Sequence, residues 1–81
     1  MDYAIYKTRD GKNPRIIHRF TQEACNHRAK RAATVKLHEM WVHVINRGFP
    51  NAEGGTSGEF SYDYPTSTNT SERIRFYIAK M

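Results

Sequence analysis

A single cysteine, Cys25, excludes an internal disulfide and fits a reducing compartment. No apolar run approaches the roughly 20 residues that span a bilayer. The opening MDYAIYKTRD also lacks the layout of a secretion signal, so a cytosolic protein without membrane contact is expected. Acidic residues are scarce in the first part of the chain. Residues 1–47 carry ten Lys/Arg against four Asp/Glu, whereas residues 48–81 carry three against four. That asymmetry points to a basic working surface facing something anionic, with a merely solubilising surface as the alternative. At 81 residues the chain is expected to form one compact domain over 1–81. A domain this small buries only about 60% of its unfolded surface, so each large apolar residue counts.

The chain is organised around residues 21–47, read as one amphipathic helix feeding one strand. Before it, residues 3–8 (YAIYKT) and 15–20 (RIIHRF) suit two strands. Between them Asp10-Gly11 gives a strong hairpin signal, and Pro14 bars immediate continuation of the ladder. In the second strand Ile16, His18 and Phe20 are expected on one face, with Arg15, Ile17 and Arg19 on the other. Thr21 is a suitable N-cap, and Glu23 sits favourably in the first helical turn. Cys25, Ala29, Ala32 and Ala33 share a narrow inner face, while His27, Lys30, Arg31 and Thr34 cluster opposite with Arg28 at their flank. Thr34 and Val35 are poor helix formers, which places the helix end near Leu37.

Residues 40–47 are dense in β-branched and aromatic side chains and are expected to form a central strand. In that strand Met40, Val42 and Val44 share one face, and Trp41, His43 and Ile45 the other. Residues 52–58 (AEGGTSG) read as a glycine-rich loop. Residues 59–64 (EFSYDY) and 72–80 (ERIRFYIAK) alternate as two further strands. In the last strand Ile74, Phe76 and Ile78 face inward and Arg73, Arg75 and Tyr77 outward. The expected fold class is α+β, a small antiparallel sheet with one main helix packed on one face, in the order β-β-α-β-β-β.

Catalytic and metal chemistry find little support. His38 and His43 have an H-x4-H spacing, but Cys25 and His27 diverge by about 200° on a helix and cannot converge on one ion. Cys25 lies on the alanine face, where a free thiol is ordinarily inert. The 54–58 loop lacks the Lys-Ser/Thr ending of a phosphate-binding loop and precedes a strand. No pair among Glu59, Asp63 and Glu72 suggests an acid and a base. A non-catalytic protein with no cofactor and no metal is expected.

The basic and aromatic sets are more informative. An outer sheet face gathering Trp41, His43, Arg73, Arg75 and Tyr77 would interleave rings with cations, as open sheets do when they hold single-stranded nucleic acid. The helix patch His27, Arg28, Lys30 and Arg31 is the rival, placed to meet phosphates or an acidic protein groove. An exposed edge at the first or last strand offers a route to a dimer.

In size and element order, with an alanine-rich helix (FTQEACNHRAKRAATVK) and a closing strand (RIRFYIAKM), the chain resembles small phage-encoded anti-CRISPR proteins directed at type I effector complexes. The resemblance spans the whole chain as architecture, and it carries no motif from which site residues could be transferred. It implies stoichiometric binding to a Cas protein surface, often occluding target-DNA recruitment, in the cytoplasm of a host cell. The net charge of +5 departs from the acidic, DNA-imitating members and implies an acidic or mixed protein surface, or nucleic acid held beside the complex. A basic nucleic-acid-binding module is the alternative.

Overall fold

The computed structural model describes residues 2–21, 26–55 and 58–81. Strands β1 (Tyr3–Arg9) and β2 (Lys12–Phe20) precede helix α1 (Asn26–Arg47), and β3 (Glu53–Gly54), β4 (Glu59–Pro65) and β5 (Ser71–Lys80) follow. The five strands form one antiparallel sheet in the order β2-β1-β5-β4-β3, with α1 packed on one face. The fold class is α+β and the succession β-β-α-β-β-β is the expected one, although its third strand is Glu53–Gly54, inside the stretch expected as a loop, and not residues 40–47. Among the described residues, no helix is long and apolar enough to cross a membrane.

The opening hairpin turns on Asp10 (φ 52°) and Gly11 (φ 72°), two successive positive φ values that define a type I′ turn matched to strand twist. The turn is also stitched to β5. The Asp10 backbone N–H donates to the Arg73 carbonyl (2.8 Å), and the Arg73 N–H donates to the Asp10 carboxylate (2.9 Å). Register shifts interrupt the β1–β2 ladder twice, and they overturn the expected facing of β2. His18 lies opposite Ile5 on the helix side, but Ile16 lies opposite Tyr6 on the outer side, and Ile17 packs against the core.

The largest correction concerns residues 40–47, which continue the helix rather than forming a strand. At 100° per residue, Ala29, Ala33, Leu37, Met40 and Val44 lie within one arc. All but the half-buried Met40 are buried, and Trp41 packs against the core beside them. That repeat outweighs the β-propensity of Val42, Val44 and Ile45, because propensity is a weak prior beside tertiary packing. Thr34 is accommodated by donating its hydroxyl to the Lys30 carbonyl one turn back (2.8 Å). The helix stops at Gly48, whose φ of 73° lets its N–H reach the Val44 and Ile45 carbonyls. Extension to Arg47 also turns the buried face away from Ala32, which is exposed. The expected cap at Thr21, and the placing of Glu23 and Cys25, involve residues 22–25, outside the described residues.

The core lies between α1 and the sheet: Ile5 from β1, Leu37 and Val44 from α1, Phe60 and Tyr62 from β4, and Ile74 and Phe76 from β5. Phe60 rings the centre, 5.1 Å from Phe76 and 5.4 Å from Trp41 between centroids. Gly55 (φ 95°) makes room for Trp41, since a Cβ there would come within 2.4 Å of the indole nitrogen.

β1 and β5 occupy the middle of the sheet, side by side, so neither offers the free edge expected of the first and last strands. The edges are β2 and the two-residue β3. Lys12, Pro14, Arg15 and Arg19, together with the register shifts, blunt β2 against pairing with a second copy.

A helix across 40–47 separates two valines that a strand would place together. Val44 is 5% exposed and Val42 43%. Val44→Asp is expected to cost more than about 3 kcal/mol and Val42→Asp less than about 1 kcal/mol, measured by urea unfolding.

Candidate interaction surfaces

The outer sheet face neutralises its own charge. The Arg73 guanidinium donates through Nη1 to Asp63 (3.0 Å) and to the Asn51 carbonyl (2.8 Å), and through Nη2 to Glu53 (2.7 Å) and Ser61 (2.8 Å). Arg75 is paired with Glu59 and lies over the Tyr77 ring, 4.8 Å from its centroid. Tyr77 in turn stacks on Tyr6 at 5.3 Å with 12° between planes. The register produces these contacts, because Asp63 and Arg73, and Glu59 and Tyr77, lie directly across β4 and β5. A phosphate would have to displace carboxylates already in place, so Arg73 and Arg75 are poor candidates for binding an external anion.

Trp41 and His43 do not join that face, since both are carried by α1 on the other side of the sheet. Trp41 is half-buried against Phe60. His43 is exposed at the rim of a cavity of about 300 Å³, with Lys36, Glu39 and Met40 above and Phe60, Tyr62 and Phe76 below. The expected five-residue cluster therefore reduces to Arg73, Arg75 and Tyr77. His38 and His43 are five residues apart on one helix, about 140° around the axis, and do not converge. Among the described residues no group of three His, Cys, Asp or Glu side chains is placed to hold a metal ion.

The expected helix patch also divides. Arg28 and Arg31 are exposed on the outward side of α1. Lys30 lies some 200° from Arg28, beside Tyr3, Thr34, Ile78 and Lys80 at the sheet end. The His27 side chain falls outside those described. Along the outward side, Arg28, Arg31, Val35, His38, Val42 and Ile45 recur at alternating spacings of three and four, within about 100° of one another. Val35, Val42 and Ile45 are 54%, 43% and 50% exposed. This is a stripe that begins cationic and becomes apolar.

Sequence reasoning missed a further set of cations. On the helix-side face, beyond the end of the core, Lys7 stands opposite Arg15 and Arg9 opposite Lys12 across β1 and β2. Like charges directly opposite each other destabilise a sheet. Of the four, only Arg9 meets a described carboxylate, Glu72 at 3.8 Å, and its side chain is 62% exposed. The signal was present, because the Asp10-Gly11 turn itself dictates that residues 9 and 12 face each other.

Comparison with protein-family models, with curated proteins and with solved structures returned no match for this chain.

The Asp63 carboxyl is held below the usual aspartate range, chiefly by the hydrogen bond that the Asn51 amide donates and then by that from Arg73. A carboxylate with a lowered folded pKa stabilises the fold above its unfolded value, about 3.9, and loses that contribution as pH falls through the folded value. Thermal melts of the native chain are expected to lose stability through this acid window. Asp63→Asn should flatten that part of the profile, and an unchanged profile would show that Asp63 is not the group responsible.

Proposed function

We propose that this chain works by stoichiometric binding rather than catalysis, as an inhibitor that docks the outward stripe of α1 into a groove on a larger protein assembly. The exposure of Val35, Val42 and Ile45 in line with Arg28 and Arg31 carries this reading. Three large apolar side chains at helical spacing do not suit a phosphate backbone. They suit an apolar groove, and the two arginines suit an acidic rim at one end, the helix-in-groove mode of recognition. The self-neutralised outer sheet face supports the same choice, because it removes the rival surface built on Arg73 and Arg75.

The occupied assembly, on the architecture-level resemblance, is a type I CRISPR effector complex, with this chain acting as a phage-type anti-CRISPR protein. Charge favours an acidic patch on a Cas protein over imitation of DNA, since α1 carries five Lys/Arg against Glu39 alone. Binding would obstruct recruitment of target DNA by occupying space, without chemistry and without a cofactor.

The test is capture from cells carrying a type I system, with interference against a targeted plasmid as the second readout. The native chain is expected to co-purify with the effector and restore the plasmid. Val42→Asp, and separately the pair Arg28→Glu and Arg31→Glu, should weaken capture at least about tenfold while the melting temperature holds, as expected of central interface residues. Neither capture nor restored plasmid with the native chain would overturn the reading.

A further inference from the structure

Four of the five hairpin cations, Lys7, Arg9, Lys12 and Arg15, stand at one end of a trough that α1 leaves open. Lys7, Arg9, Lys12, Asn13 and Arg15 line a depression of about 260 Å³, and Lys7 and Arg9 are shared with an adjoining one of about 320 Å³. The second is walled by Tyr62, Tyr64, Thr66, Glu72 and Ile74. Tyr64 is 48% exposed, with one edge tilted against Phe49 at 5.7 Å. Tyr62 also floors the cavity beneath His43, so ring surface runs on from the trough under α1. Lys7 joins the two regions, its Nζ lying 5.8 Å from the Phe76 centroid.

We propose that this trough binds single-stranded nucleic acid, with phosphates on Lys7, Lys12 and Arg15 and a base stacked on Tyr64. Three observations converge on it. The opposed pairs Lys7–Arg15 and Arg9–Lys12 are unfavourable in the isolated fold, and an anion seated between them turns that repulsion into attraction. Successive pairs sit roughly 7 Å apart along β1, two residues of β rise, a separation that an extended sugar–phosphate backbone can follow. The exposed ring beside them offers a stacking surface that accepts any base. An acidic peptide would satisfy the cations but meet Glu72 on the ring side, whereas a base edge can donate an N–H to that carboxylate, the ring N3–H of thymine and uracil included. A duplex keeps its base faces stacked inside, out of reach of Tyr64.

Fluorescence anisotropy of labelled oligothymidylate and oligouridylate with the full chain tests this. Three to four phosphate contacts give a log–log salt slope of about −2 to −3 on a single strand. Lys7→Gln with Arg15→Gln should weaken binding at least about tenfold and bring the slope toward zero by about 1.4. Tyr64→Leu should weaken binding with the slope unchanged. Both variants are compared at a temperature where circular dichroism finds them folded. Arg28→Gln with Arg31→Gln should leave oligonucleotide binding untouched, which separates this site from the α1 stripe. No binding at low salt, equal affinity for duplex or polyglutamate, or loss of binding through the α1 variant instead of the trough variants would overturn the proposal.

Discussion

The packing of α1 on the ring cluster of β4 and β5 is the contact on which the rest of this molecule depends. Leu37, Met40, Trp41 and Val44 supply bulk that Ala29 and Ala33 cannot, and they meet Phe60, Tyr62 and Phe76. The alanines let the first half of the helix lie close to the sheet, and the larger residues of the second half bury the apolar area. Gly55 belongs to the same device, its missing side chain leaving the space that the Trp41 indole occupies. Because the helix runs unbroken to Gly48, one side of it is committed to this contact and the other is left to solvent as a continuous stripe.

Charge is partitioned by the same geometry. Carboxylates of β3 and β4 fall beside Arg73 and Arg75 and close the outer face electrostatically. The hairpin β1–β2 has five Lys/Arg and only Asp10 in opposition, and Asp10 is engaged at the turn by the Arg73 backbone. Exposed ion pairs contribute little to stability individually, but they decide which cations remain available to a partner. Apart from Lys80 at the end of β5, the available ones among the described residues lie along the hairpin and α1, two surfaces of different chemistry: one flanked by an exposed tyrosine, the other continued by valine and isoleucine.

Much of the fold was legible in the residues. Asp10-Gly11 marked the hairpin, the alternation of EFSYDY and ERIRFYIAK marked β4 and β5 with their facing, and the alanine spacing marked the helix. The error at residues 40–47 came from reading Val42, Val44 and Ile45 by propensity, when Leu37, Met40, Trp41 and Val44 already repeat at helical spacing and the first stop signal is Gly48. From that error followed the misplacing of Trp41 and His43 on the outer face. The Arg73 network was not legible, because it depends on which strand lies beside β5, and several pairings fit the same alternation. The trough was half legible: the turn pairs residues 9 and 12, but Lys7 meets Arg15 only through a register shift near Pro14.

A single helix carries Trp41 into the core, and nuclear magnetic resonance tests its extent and that contact at once. Carbon-13 secondary shifts across residues 40–47 should be helical throughout, with cross-relaxation between the Trp41 indole and the Phe60 ring. Extended-strand shifts over those residues, with a Trp41 indole showing contacts to Arg75 or Tyr77 instead, would contradict it.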